Sequence, residues 1–133
     1  MDDTLPVFVY GTLLPGQWYW SRINRWVDRW EPAEVHGKLY DTGLGYPAAA
    51  FGPEGRIYGV LVHFRPGTHE AARDVIDEIE GEGTEYRRVE VETISGTKAA
   101  AYEWIRDPSA LAQVMSPWRP IEQQVSDPDA ANP

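Results

Sequence analysis

The alternation of apolar and polar residues predicts a chain built mainly from short strands. Residues 7–10 (Val-Phe-Val-Tyr) are β-branched or aromatic, as a buried strand requires. Residues 57–64 are apolar at almost every position, which predicts a strand buried on both faces. A shorter extended segment spans residues 35–40. Residues 85–94 alternate and predict a half-exposed strand, which returns through a Ser-Gly-Thr turn as a partner strand at residues 99–105.

Two segments between these strands have apolar residues at helical spacing. Across residues 18–30, Trp, Ile and Val side chains recur every three or four positions, and Pro32 would end that helix. Residues 109–115 predict a short helix after an Asp-Pro turn. Residues 43–48 contain two glycines and a proline, which predict a loop.

A third helix is predicted at residues 69–80, with Thr68 at its N-cap and Gly81 just after its end. Its apolar stripe is formed by alanine, valine and isoleucine, and Asp77 is expected to face away from that stripe. Glu80 lies at the edge of the stripe in the last turn. There the helix dipole and partial burial both favour a protonated carboxyl group, as general acid–base catalysis requires. A surface glutamate at a fraying helix end has the same sequence pattern.

The turn after the first strand is the second candidate for chemistry. Gly11 has no Cβ, so the backbone can bend there and another molecule can approach it closely. The N–H groups of Gly11, Thr12 and Leu13 could then point outward together and bind an anion. An ordinary strand and turn has the same local pattern.

Composition narrows the class of protein and its partners. The 133 residues favour one domain, which we expect to span residues 1–121, followed by a polar tail at 122–133 that we expect to be mobile. Twelve basic against 21 acidic residues give a net charge of −9, which argues against nucleic acid or an anionic membrane as partner. The chain has no cysteine, no apolar run of membrane-spanning length and no signal peptide, so we expect a cytoplasmic protein that binds a small molecule.

Several familiar catalytic motifs are missing from the sequence. It contains no G-x-S-x-G nucleophile elbow, no phosphate-binding Walker loop and no dinucleotide fingerprint. The three histidines, His36, His63 and His69, have no common zinc spacing. The anion-binding turn and Glu80 remain as the candidate chemistry, and no metal is expected.

These two elements, taken together, resemble a known family. Residues 9–13 (Val-Tyr-Gly-Thr-Leu) resemble the Y-G-[ST]-L signature of the gamma-glutamylcyclotransferase superfamily. Residues 76–80 (Ile-Asp-Glu-Ile-Glu) and 86–89 (Tyr-Arg-Arg-Val) are similar to that family's L-D-x-x-E…Y-x-R-x-x-V segment, in which the last acid is catalytic. Residues 37–41 and 46–48 match further family segments. The chain is most similar to the gamma-glutamylamine cyclotransferase branch and its bacterial relatives.

The resemblance implies a fold, a reaction and a set of site residues. The fold is α+β, a small mixed β-barrel with packed helices. The reaction converts a γ-glutamyl amide to 5-oxoproline and a free amine, without a cofactor. Glu80 would be the catalytic acid and base, and the substrate-binding residues would be Tyr10, Gly11, Thr12, Leu13 and Tyr46. A non-catalytic module that binds an amino-acid-like ligand is the alternative, and another γ-glutamyl compound as substrate is a third possibility. The oligomeric state and the leaving amine are not indicated.

Overall fold

The computed structural model describes residues 4–116 and residue 118, and within them the chain forms eight strands and one α-helix. The helix, α1, spans His69–Glu80. Single-turn 3-10 helices lie at Trp20–Arg22, Asn24–Trp26 and Pro108–Ala110. The strands are β1 (Val7–Val9), β2 (Val27–Val35), β3 (Gly37–Asp41), β4 (Pro47–Phe51), β5 (Ile57–Phe64), β6 (Tyr86–Glu92), β7 (Lys98–Trp104) and β8 (Ala112–Val114).

The strands form two sheets, and β1 lies at the centre of the larger one. The five-stranded sheet has the order β2-β5-β1-β7-β6, and the three-stranded sheet has the order β4-β3-β8. β1 is antiparallel to β5 and parallel to β7, so a short apolar strand has neighbours on both sides. The strand predicted at residues 7–10 is therefore confirmed. Because β1 is the central strand, the turn that follows it lies in the middle of the fold.

Both faces of the larger sheet are covered, which gives the protein two clusters of buried residues. Val7 and Val9 of β1 belong to the cluster that includes Ile76 of α1. Phe8, between them, belongs to the second cluster with Leu39 of the smaller sheet. Because successive side chains of a strand point to opposite faces, the uninterrupted apolar run of β1 contributes to both clusters.

The sheets are not closed into a barrel, which corrects one feature implied by the resemblance. The edge strands β2 and β6 of the larger sheet form no ladder with each other in the described part of the chain. One backbone hydrogen bond approaches closure: the N–H of Ile94, just after β6, donates to the carbonyl of Glu34 on β2 at 2.8 Å. The α+β class itself is confirmed.

The prediction of a helix at residues 18–30 is wrong. Two 3-10 turns occupy residues 20–26, and β2 begins at Val27 and pairs with β5 over its whole length. Pairing with a long apolar strand outweighs helical spacing, since Trp and Val also favour strands. Pro32 fits inside β2 because an edge strand needs no hydrogen bond from every N–H group.

Two further local predictions are wrong, while the third helix is confirmed. The predicted helix at 109–115 is a 3-10 turn followed by β8, which pairs with β3. The predicted loop at 43–48 ends earlier, because β4 begins at Pro47. α1 has the predicted bounds, although the Thr68 hydroxyl at its N-cap position donates to the carbonyl of Arg65 and caps no helix N–H group. The predicted tail at 122–133 lies outside the described residues.

Candidate active site

A cavity of about 90 Å³ lies where the end of β1, the loop before β4, the end of α1 and the strands β6 and β7 meet. This volume is below the roughly 300–1,000 Å³ of pockets for drug-sized ligands, so the cavity suits a small compact group. Its lining combines aromatic rings, two carboxyl groups and a stretch of backbone. The lining residues are Phe8, Val9, Tyr10, Gly11, Thr12, Leu13, Tyr19, Tyr46, Pro47, Ile79, Glu80, Glu85, Tyr86 and Tyr102.

The turn after β1 forms one wall of the cavity. Its backbone is closed by hydrogen bonds from Leu14 N to Gly11 O at 3.0 Å and from Tyr19 N to Thr12 O at 2.8 Å. Both bonds use carbonyl groups of the turn. Among the described residues, no backbone carbonyl outside the strands accepts from the N–H groups of Thr12 or Leu13. The turn can therefore offer N–H groups to an anionic ligand.

Gly11 is required in this turn by a close contact within the protein. A Cβ built on Gly11 would lie 2.9 Å from Cδ of Pro47, the first residue of β4. The sequence interpretation expected another molecule to approach this glycine, whereas the group that lies against it in the structure is the Pro47 ring. This contact holds the turn against the loop that carries Tyr46.

Glu80 forms the opposite side of the cavity, in the last turn of α1. Gly81 then adopts a left-handed conformation with φ of 61°, and the N–H of Glu82 donates to the Asp77 carbonyl at 2.9 Å, which ends the helix. Burial, as the larger cause, and the neighbouring charge of Glu85 together raise the pKa of the Glu80 carboxyl to about 7. No hydrogen bond joins this carboxyl group to any residue that the structure describes. Glu80 is therefore free to bind a ligand and to exchange a proton near neutral pH.

Glu85 is a second carboxylate in the cavity, and the sequence analysis did not identify it. The turn between α1 and β6 is held by hydrogen bonds from Thr84 N and Glu85 N to the Gly81 carbonyl, at 2.9 and 3.0 Å. This turn brings Glu85 back beside the end of the helix. The Tyr46 hydroxyl donates to Oε2 of Glu85 at 2.6 Å, and burial together with this bond raises the pKa of Tyr46 to about 12.

Three other tyrosines in the lining are also held by hydrogen bonds through their hydroxyl groups. Tyr10 donates to the backbone carbonyl of Tyr102, and Tyr86 donates to that of Pro47. Tyr102 donates to the carboxylate of Asp77. Burial, as the largest cause, raises the pKa of Tyr10, Tyr86 and Tyr102. These rings are therefore fixed and neutral at physiological pH.

Asp77, which was predicted to face away from the apolar stripe, contacts residues of β6 and β7. It is half-buried and accepts two hydrogen bonds from Nη1 of Arg88, one of them at 2.7 Å. The Asp77 carboxylate also accepts a hydrogen bond from the hydroxyl of Tyr102. The backbone carbonyl of Tyr102 in turn accepts a hydrogen bond from the hydroxyl of Tyr10. The hydrogen bonds and charge of Asp77 raise the pKa of Arg88. Asp77 thus supports the wall of the cavity from outside it.

The structure brings all six predicted site residues to one cavity. Tyr10, Gly11, Thr12 and Leu13 come from a single turn, while Glu80 and Tyr46 reach it from distant parts of the chain. The three histidines that were considered as zinc ligands, His36, His63 and His69, do not line the cavity. Within residues 4–116 and 118, no group of three or more His, Asp or Glu side chains could hold a metal ion. No helix in the same part of the chain is long and apolar enough to cross a bilayer.

The chain belongs to the family described as gamma-glutamyl cyclotransferase, AIG2-like, which matches residues 7–120. The matched range contains all eight strands, the helix and every residue that lines the cavity. The family resemblance inferred from the Y-G-T-L turn and Glu80 is therefore confirmed.

Solved structures with this fold come from an archaeon, a plant and a mammal. The uncharacterized protein PH0828 from Pyrococcus horikoshii has a TM-score of 0.64 and 27% identity over 83% of this chain and 85% of that chain. At3g28950.1 from Arabidopsis thaliana has a TM-score of 0.59 and 29% identity over 79% of this chain and 66% of that one. An AIG2-like protein from Mus musculus has a TM-score of 0.56 and 17% identity, with coverage of 78% and 80%, and shows the shared fold alone. No match was found among curated proteins.

Proposed function

We propose that this protein is a cyclotransferase that converts a γ-glutamyl amide to 5-oxoproline and a free amine. The observation that carries the proposal is the arrangement of Glu80 and the Gly11–Leu13 turn on one small cavity. A γ-glutamyl group has an anionic carboxylate and a cationic amine on the same carbon. The turn supplies N–H donors for the first group, and Glu80 supplies a proton acceptor for the second.

The first step is attack of the substrate's α-nitrogen on its own γ-carbonyl carbon. Ionised Glu80 takes one proton from the α-ammonium, which frees the nitrogen lone pair. The new C–N bond closes a five-membered ring and gives a tetrahedral intermediate. Both reacting groups belong to one molecule, so the enzyme mainly has to fold the glutamyl chain into the attack geometry. The tyrosine rings and the Gly11–Leu13 turn supply a fixed wall for that purpose.

The second step breaks the original amide C–N bond. Glu80, now protonated, delivers its proton to the leaving nitrogen, and the γ-carbonyl re-forms as the lactam carbonyl. The α-nitrogen loses two protons in all, and the released amine gains two as it leaves as an ammonium ion. Glu80 can carry one of them and solvent the other. A carboxyl group with a pKa of about 7 is suited to take and give a proton at neutral pH.

The partner is then a small γ-glutamyl compound, and neither a metal nor a cofactor has a part in these steps. A cytoplasmic location, and a single domain over residues 1–121 with a separable tail, are proposed with it. The alternative of a non-catalytic binding module predicts a ligand without turnover. A half-buried Glu80 with no hydrogen-bond partner among the described residues supports the catalytic proposal over it, because a binding pocket has no need for a carboxyl group of raised pKa.

The test is to incubate the purified protein with a panel of γ-glutamyl amides and to measure 5-oxoproline by chromatography. The panel should include γ-glutamyl alkylamines, γ-glutamyl amino acids and γ-glutamyl-ε-lysine. Release of 5-oxoproline together with an equimolar amount of one free amine is the expected result. Tight binding of panel members without any release would favour the binding module.

A further inference from the structure

Most of the polar side chains that line the cavity can offer a ligand only hydrogen-bond acceptors, and the hydroxyl groups of Thr12 and Tyr19 are the exceptions. A phenol has one proton, and each of Tyr10, Tyr46, Tyr86 and Tyr102 already donates it to a protein oxygen. Two of the acceptors are backbone carbonyls, which cannot donate, so the direction of those bonds is fixed. What these hydroxyls can still offer to a ligand is oxygen lone pairs. The N–H groups of the turn after β1 are the contrasting donor region.

The charged side chains of the lining are acidic, so they too favour a ligand group that donates hydrogen bonds. Glu80 and Glu85 line the cavity, and no Lys, Arg or His is among the described residues that line it. Arg88 is held outside the cavity by Asp77. The positive charge of Arg106 offsets part of the rise in the pKa of Tyr46, but Arg106 does not line the cavity. The interior therefore favours a cationic group that carries several N–H donors.

The two carboxyl groups differ in what holds them. Glu80 has no hydrogen-bond partner among the described residues, whereas Oε2 of Glu85 is fixed by the Tyr46 hydroxyl at 2.6 Å. A carboxylate that is already oriented loses less conformational entropy when it binds a ligand. Glu80 must change its protonation state during the reaction. Glu85 is outside that proton transfer.

We propose that Glu85, held by Tyr46, is the residue that binds and orients the α-ammonium of the substrate beside Glu80. This inference rests on the proposed function and adds a positioning residue to it. After Glu80 has removed one proton, the neutral α-amine keeps two N–H bonds. One of these N–H groups stays hydrogen-bonded to the Glu85 carboxylate. This bond orients the amine so that its nitrogen lone pair points toward the γ-carbonyl carbon. Glu85 thereby favours binding of a substrate with a charged α-ammonium group. It then orients the neutral α-amine for attack.

The experiment uses Glu80→Gln as the parent background, so that ligands bind without turnover. Isothermal titration calorimetry at pH 6.5 compares N-butyl-L-γ-glutamylamide with N-butylglutaramate, which lacks only the α-amino group. We expect the Glu80→Gln protein to bind the amine-bearing ligand at least tenfold more tightly. Addition of Glu85→Gln should remove that preference, while addition of Glu78→Gln, at an exposed position of the same helix, should leave it intact.

A preference that survives Glu85→Gln would overturn the proposal. If that double variant fails to fold, Tyr46→Phe in the Glu80→Gln background replaces it, since it removes only the hydroxyl bond to Glu85. A severalfold smaller preference is then expected, and an unchanged one contradicts the role of Glu85. Selective binding of the amine-bearing ligand, with no 5-oxoproline released by the native protein, would contradict the cyclotransferase alone. Failure of both ligands to bind would overturn both proposals.

Discussion

Glu80 and Glu85 line one cavity from the two ends of the turn that joins α1 to β6, and the charge of Glu85 raises the pKa of Glu80. Burial is the larger cause of the shift, and Glu85 adds to it. The residues that face Glu80 from other elements are tyrosines, mainly Tyr10 and Tyr86, which stay neutral at physiological pH. No cation among the described residues of the lining offsets the two carboxyl groups. The burial of Glu80 and the charge of Glu85 therefore set the pH range in which the Glu80 carboxylate can accept a proton.

The first prediction concerns the pH profile of the reaction. The base must be ionised, so kcat/KM should rise about tenfold per pH unit below pH 7 and level off above it. Glu85→Gln removes the neighbouring negative charge and should move this acid limb to lower pH. The limb should stay above the ordinary value of 4.5, because burial remains. An acid limb that is the same in the native protein, Glu85→Gln and the Glu78→Gln control would contradict this electrostatic coupling.

The second prediction is that Glu80 lowers the stability of the folded protein at alkaline pH. Its folded pKa is about 7 against 4.5 when unfolded, so between these values the folded state binds more protons. Stability should therefore fall as pH rises from about 4.5 to 7, by an amount on the order of 3 kcal/mol. Denaturant unfolding at pH 8 should show Glu80→Gln to be more stable than the native protein by roughly 1–3 kcal/mol, and at pH 4.5 the difference should nearly vanish. A Glu80→Gln protein less stable than the native one at pH 8 would argue against a buried, ionised Glu80.

The third prediction concerns the packing that supports the turn. A Cβ on Gly59 of β5 would lie 2.2 Å from the Val9 carbonyl oxygen and 2.8 Å from Cζ of Phe8, so Gly59→Ala must displace β1. We expect a loss of roughly 1–3 kcal/mol in the free energy of unfolding. Gly52→Ala is the matched control, because nothing lies within 4 Å of a Cβ at that position. Equal stability of the two variants by chemical denaturation would show that β1 and β5 are not packed as described.

The parts of the site that sequence could predict are those encoded locally. A β-branched run that ends at glycine predicts β1 and its turn, and an apolar stripe that stops at Gly81 predicts the end of α1 beside Glu80. Both signals lie within a few residues, and the family motifs reinforce them. The cavity they share could be expected only from the resemblance, since nothing local relates residues 11 and 80.

The remaining features depend on contacts between distant residues. Tyr46 meets Glu85 across 39 positions, so no spacing rule could single out Glu85. Helical periodicity places Asp77 away from the apolar stripe, but it does not show that β6 and β7 bring Arg88 and Tyr102 against it. Residues 18–30 have helical spacing, but pairing with β5 decides the conformation of β2. In each case the deciding contact is with a residue that is distant in the sequence.

The most direct test of the account is the rate of 5-oxoproline release by Glu80→Gln on the γ-glutamyl amide that the native protein turns over best. Glutamine keeps the size of the side chain but cannot exchange a proton, so kcat should fall by roughly 10²–10⁴-fold. Glu78→Gln, exposed on the other side of α1, should retain native kcat. Native turnover by Glu80→Gln would contradict the central claim, and loss of turnover only in Glu78→Gln would assign the proton transfer to a different glutamate.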